Sequence, residues 1–258
     1  MYKLPAFQTI KHALKAVVQF RNAGIRIGLP WVLVLAVISV LDRIFSPASA
    51  PTPDPADTAT NMLLPGPMEL LIAAFSLVIF SSIAVNWHRY ILLDEITAPD
   101  KIFRLDRPVW TYAGRTLLIM LITLVPMLIL STIFVNTLPS LSVALAIPFF
   151  VAGIYIMRMS VALPAIALER KDFGISAALQ VTQGNNLQFA ALLALNGLIL
   201  FATFLALGIV LSIVGSVNVT AAKILALVLS VPVNLFLSLF SVSLLSSLYR
   251  FFVEQRKF

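Results

Sequence analysis

The chain has 258 residues, 60% of them hydrophobic and only 11% charged, with a mean hydropathy of +1.00. Soluble domains carry about 25% charged residues, so too few ionisable side chains are present to cover a water-exposed surface. Ten glycines, 15 prolines and no cysteine exclude collagen-like, disordered and disulfide-stapled chains, along with thiolate catalysis and cysteine-ligated metals. What remains is an all-α integral membrane protein. The net charge of +7 would suggest nucleic acid in a soluble protein. In this composition the distribution of charge carries the information, and no nucleic-acid partner is expected.

Residues 1–26 read as an amphipathic helix on the cytoplasmic surface. Leu4, Phe7, Ile10, Leu14 and Val17 recur at three- and four-residue steps, with Gln8, Lys11, His12, Lys15 and Gln19 on the other side. Such a helix suits the surface of an anionic leaflet. Residues 27–258 read as a six-helix membrane domain. The uncharged gaps number 15 residues from Arg26 to Asp42, 19 from Glu69 to Arg89, 42 from Arg115 to Arg158, 50 from Asp172 to Lys223 and 26 from Lys223 to Arg250. A helix crosses the hydrocarbon in about 20 residues, and there the backbone must satisfy its own hydrogen bonds. With breaks at 136–140, 184–186 and 215–218, the expected spans are 27–45, 68–93, 110–135, 140–168, 187–214 and 221–250.

Ala48-Ser49-Ala50 resembles a signal-peptidase site, but five charges precede the apolar run and Pro51 would follow the cut. The first span is therefore expected to stay as an anchor. The stretch 46–67, with four prolines in nine residues, reads as an extended outer loop. Of the 18 basic residues, 16 lie at the termini, in the loops 94–109 and 169–186, or in their flanking turns. The other side holds only Arg43 and Lys223. By the positive-inside rule both termini are cytoplasmic, in what we expect to be a bacterial inner membrane.

Amphipathic stretches at 1–26, Ile102–Tyr112 and Ile175–Thr182 each precede a helical hairpin, which suggests three repeats of surface helix plus hairpin. Arg158 stands ten residues before the end of the fourth span, about 15 Å deep at 1.5 Å per residue. A charge at that depth should face protein or a watered cavity. Glu169, 11 residues on, returns to nearly the same helix face, and Asn196 lies at similar depth. His88, Arg89 and Arg115 penetrate from the same side. These six residues are the candidate anion- or lipid-binding set, the competing reading being that Arg158 bonds carbonyls and Asn196 to lock helix packing. Trp31, Trp87, Tyr90, Trp110, Tyr112 and Tyr249 read as an interfacial aromatic belt.

Signals for catalysis are sparse. The two histidines stand 76 residues apart, and no nucleophile elbow, phosphate-binding loop or dinucleotide fingerprint is present. No metal or other cofactor is expected.

The run Arg158-Met-Ser-Val-Ala-Leu-Pro164-Ala-Ile-Ala-Leu-Glu169, followed by Gly174-Ile-Ser-Ala-Ala178-Leu179 and Thr182-Gln183-Gly184-Asn185, resembles a prokaryotic group of six-helix membrane proteins related to YciC. That group includes the membrane domain attached to some glycerophosphodiester phosphodiesterases. Roughly 30 residues carry the likeness, which implies the six-helix layout. It also implies that phosphodiesterase chemistry belongs to a separate soluble barrel rather than to these helices. Two departures are the Pro-rich loop and the uncharged stretch 175–182. The expected function is that of a non-enzymatic accessory, scaffold or membrane-homeostasis protein with a possible membrane-protein partner. The alternative is a transporter or lipid-handling protein with a basic cytoplasmic-side cavity around Arg158. A carboxylate within reach of His88 would instead point to a membrane-embedded hydrolase.

Overall fold

The computed structural model describes residues 3–45, 66–137 and 144–255. The outer loop and much of the turn expected at 136–140 lie outside them. Among the described residues the chain is helical, and no strand is present. The helices are α1 (Ala6–Gln19), α2 (Arg21–Phe45), α3 (Pro67–Leu93), α4 (Arg107–Thr137), α5 (Ala146–Ser160), α6 (Leu163–Ala167), α7 (Ile175–Val181), α8 (Asn186–Val217) and α9 (Val219–Phe252). Six segments, in α2, α3, α4, α5–α6, α8 and α9, are long and apolar enough to cross a membrane. The protein is an all-α, multi-pass membrane protein.

The spanning helices pack in a closed order, α2 on α3, α3 on α4, α4 on α5, α5 on α8, α8 on α9 and α9 back on α2. An additional α3–α9 contact closes the centre. The core sits at one end, which carries Arg89, Arg158, Arg170 and Arg250 and is called here the basic end. There α3 buries Ile79, Ile83, Ala84 and Trp87, while α9 buries Leu239, Phe240, Leu244 and Leu248. Toward the far end Leu70, Leu71 and Phe75 of α3 and Phe201, Phe204 and Ile213 of α8 are exposed. Those side chains suit a hydrocarbon solvent.

Local chemistry sets the helix ends. Glu69 Oε2 accepts from the Gly66 N–H at 3.1 Å, and Pro67 occupies the first turn, where a missing N–H costs nothing. Asp94 ends α3 in the left-handed region at φ 54°. Asn218 starts α9 by accepting from the Ala221 N–H at 3.0 Å.

Several expectations change. The boundary at 26/27 falls inside α2, which begins at Arg21. The helix expected to lie on a leaflet packs instead on protein: Leu4 just before α1 and Ile10, Ala13, Ala16 and Val17 on it are buried against α8 and α9, while Phe7 is exposed. The stretch Ile102–Tyr112 forms no surface helix. Trp31 Nε1 and Asn86 Nδ2 capture its Ile102 carbonyl, at 3.1 and 3.4 Å, and the helix starts only at Arg107. The middle repeat therefore lacks its surface element. The span expected at 140–168 is broken after Ser160, and α6 resumes at Leu163 against α3, α4 and α9. Four of the six residues of the expected aromatic belt are core: Trp87, Tyr112 and Tyr249 are fully buried and Trp31 is buried beside them.

Gly24 and Gly28, one turn apart, let α2 approach α9 closely. A Cβ at Gly24 would stand 2.6 Å from Leu239 Cδ1 and 3.4 Å from the Trp87 ring, and one at Gly28 would press on Leu235 Cδ1. Small residues four apart commonly permit such helix contacts in membranes. The leucine methyls can swing away from one added carbon, so Gly24→Ala is expected to be mild. Gly24→Leu overpacks the joint and should lower stability by about 1–3 kcal/mol, read as thermal unfolding in mild detergent.

Candidate functional site

Arg158 lies in the last turn of α5 and is 7% exposed. Its Nε donates to Thr182 Oγ1 at 3.0 Å, Nη1 to Asn186 Oδ1 at 2.8 Å and Nη2 to the Leu179 carbonyl at 2.8 Å. The guanidinium also sits 5.4 Å from the Tyr155 ring centroid. The bonded groups come from the end of α7 and the first residue of α8. A planar fork meets these three acceptors from three different nitrogens, whereas a lysine would have to meet them all from one.

This geometry corrects two expectations. Arg158 stands level with the first turn of α8, not with its middle, because the first residue of α8 accepts from it. Its amide partner is Asn186. Asn196 lies ten residues further along α8, about 15 Å away at 1.5 Å per residue, and forms no bond to the arginine. Glu169, expected on the same face, is separated from it by the break in the helix. It has φ 58° and lies on the other side of the joint.

There Glu169 meets Arg89. The Arg89 guanidinium pairs with Glu95 at 2.6 Å and Glu169 at 3.1 Å, and donates to the Ala167 carbonyl at 3.2 Å. It thus clamps the end of α3, the loop after it and the end of α6. Arg250 performs a similar task from α9, donating to the Ile91 carbonyl at 2.7 Å. The hydrogen bond from Arg89 holds the Glu95 carboxyl below its usual range, with the opposite charge adding to it and partial burial opposing it.

His88 is fully buried in α3. Its Nδ1 faces Ser246 Oγ at 2.8 Å and its Nε2 faces Tyr112 Oη at 3.3 Å. Both ring nitrogens face hydroxyls and neither faces a carboxylate. Ser246 belongs to a polar stripe on α9 that the sequence reading missed. Ser243 accepts from Trp87 Nε1 at 2.8 Å, and Ser247 lies 2.9 Å from His12 Nδ1 of α1. The signal was available: serines at 243, 246 and 247 share one helical face.

Arg115 makes none of these bonds. It lines a cleft of about 360 Å³ at the basic end, between the start of α4, α6 and the segment 169–174. Arg107, Arg170 and Lys171 line the same cleft, with Pro108, Ile166 and Phe173 supplying apolar wall. The structure thus separates the six expected residues. Arg158, Arg89 and His88 are structural ties, Arg115 and Glu169 border the cleft, and Asn196 joins neither group. Among the described residues no three histidine or carboxylate side chains converge in a way that could hold a metal ion.

No family model matches the sequence, and no curated protein or solved structure matches it either.

Arg158→Leu leaves the buried Thr182 hydroxyl and the half-buried Leu179 carbonyl without their donor, while Asn186 is exposed and can turn to water. An unpaired buried group costs about 1–3 kcal/mol, so the thermal midpoint in detergent should fall, with Arg158→Lys recovering part and Asn196→Ala changing little. The Glu95 clamp carries a pH signature. Its folded-state pKa is depressed, so its stabilisation is complete above the ordinary value of 4.5 and disappears as pH falls through the folded value. The stability difference between the natural chain and Glu95→Gln should therefore shrink below pH 4.5.

Proposed function

We propose that the chain is a non-enzymatic scaffold or accessory component of a bacterial inner membrane, with its basic end and both termini in the cytoplasm. One observation carries this reading. The ionisable groups best placed for chemistry are spent on internal bonds: Arg158 on α7 and α8, Arg89 on Glu95 and Glu169, and His88 on two hydroxyls. A general base needs a reachable proton, and a transport site needs a cavity. The guanidinium of Arg158, always protonated and held by three acceptors, is no general base. What these bonds achieve is a joined cap over one end of six helices, suited to holding a membrane-protein partner.

The proposed likeness to the YciC-related group fits the same picture. Arg158, Pro164, Glu169 and Asn185 all stand in the joint between α5 and α8, and Asn185 Oδ1 accepts from the Leu4 N–H at 2.9 Å. A motif that builds a joint supports a structural role for the group's signature. The cytoplasmic assignment is supported by 16 of the 18 basic residues.

Cross-linking in membranes, followed by purification in mild detergent and mass spectrometry, is expected to recover one membrane-protein partner in near-equal amount. A homogeneous chain that by itself hydrolyses or moves a lipid in vesicles would overturn the scaffold reading. For orientation, a reporter active only outside the cytoplasm should work when fused at Pro55 and stay silent at Lys257. Activity at Lys257 would reverse the assignment.

A further inference from the structure

Three cations that line one cleft at the basic end have no side-chain partner among the described residues. They are Arg107 and Arg115 on α4 and Lys171 before α7, and all three line the cleft beside α6. Arg107 and Arg115 stand eight residues apart and therefore share one helix face. The two other charged groups of the cleft already have ion-pair partners. Glu169 is taken by Arg89 at 3.1 Å, and Arg170 pairs with Asp172 at 3.0 Å while donating to Tyr249 Oη at 3.1 Å. Because Arg89 is shared by Glu95 and Glu169, the cleft keeps a net positive charge of about two, carried by side chains bonded to nothing else. Elsewhere at this end Arg89, Arg104, Arg158 and Arg250 all find partners within the chain.

The walls narrow the ligand class. Phe173 and Ile166 give the cleft an apolar side, and the opening lies where the spans α4 and α5–α6 reach the end of their apolar windows. A ligand that satisfies both features has a compact anion attached to a hydrocarbon-compatible body. Arginine forks match phosphate oxygens two at a time. A metal cation is excluded by charge, and a neutral or zwitterionic headgroup would bring a cation against three others.

We propose that this cleft binds a phosphate ester, carried by the headgroup of an acidic phospholipid. The ligand's source rests on the orientation proposed above, since acidic lipid is concentrated in the cytoplasmic leaflet. Binding itself does not, because it is measured on detergent-solubilised chain with no sidedness. Failure of the topology assignment and failure of the site are therefore separate results.

The test uses the full chain in a mild non-ionic detergent. Phosphatidylglycerol, phosphatidylcholine and inorganic phosphate are titrated separately, and each is read as a shift in thermal midpoint and by native mass spectrometry. Phosphatidylglycerol is expected to raise the midpoint and to bind with one-to-one stoichiometry, phosphatidylcholine to do neither. Arg115→Gln combined with Lys171→Gln should weaken phosphatidylglycerol binding at least tenfold while the lipid-free midpoint stays unchanged, because neither side chain has an internal bond to lose. The control pair Lys11→Gln and Lys15→Gln on α1, outside the cleft, should bind as the natural chain does. A shift with inorganic phosphate but none with either lipid keeps the anion chemistry and overturns the lipid source. Undiminished phosphatidylglycerol binding in the Arg115/Lys171 variant, or an equal loss in the α1 control, overturns the site.

Discussion

A guanidinium at the edge of a membrane must be bonded on every side that water does not reach, and Arg158 imposes that demand on three elements at once. Its acceptors lie on α7 and on the first residue of α8, so the end of α5, all of α7 and the start of α8 are held as one joint. With α5 stopped at Ser160, the chain turns and lays α6 across α3, α4 and α9. That excursion delivers Glu169 to Arg89 and opens the basic cleft beside Arg115 and Lys171. The ion pairs at the surface follow from the arginine inside.

A second set of contacts depends on small residues. Serines on α9 receive Trp87 and face His88 and His12, which places two large aromatic groups and an interfacial helix on a single face. Gly24 and Gly28 clear the adjacent face for α2. The last helix is thereby the axis of the basic end, touching α1, α2, α3, α6 and α8. Neutral hydroxyls suit this position: each can also bond back to its own helix, as Ser246 does to the Val242 carbonyl at 3.0 Å, so none is stranded when buried.

The spans were legible because hydrocarbon length and backbone satisfaction leave few alternatives to a long apolar helix. The places where charge gaps misled are places where a polar group changed the path. Nothing in the apolar run around Val161 announces a break, since Pro164 sits comfortably in the first turn of a new helix. Arg158 was recognisable as costly, but its depth was counted along a helix that does not continue. Its amide partner was assigned to Asn196 by that same count, whereas Asn186 was read as part of a turn. The aromatic belt failed similarly. Composition places tryptophan and tyrosine at an interface, yet only packing decides whether they face lipid, and the serines opposite Trp87 and His88 turned them inward.

Burial is concentrated at one end of the helices, while the most apolar window of α8 has no buried residue at all. The two ends therefore answer to different forces. At the basic end hydrogen bonds and ion pairs fix how the helices sit against one another. At the far end Phe201, Phe204 and their neighbours are exposed, and the helices there are held by no comparable polar ties among the described residues. Exchanging one apolar side chain for another at that end therefore leaves the joint at the base untouched.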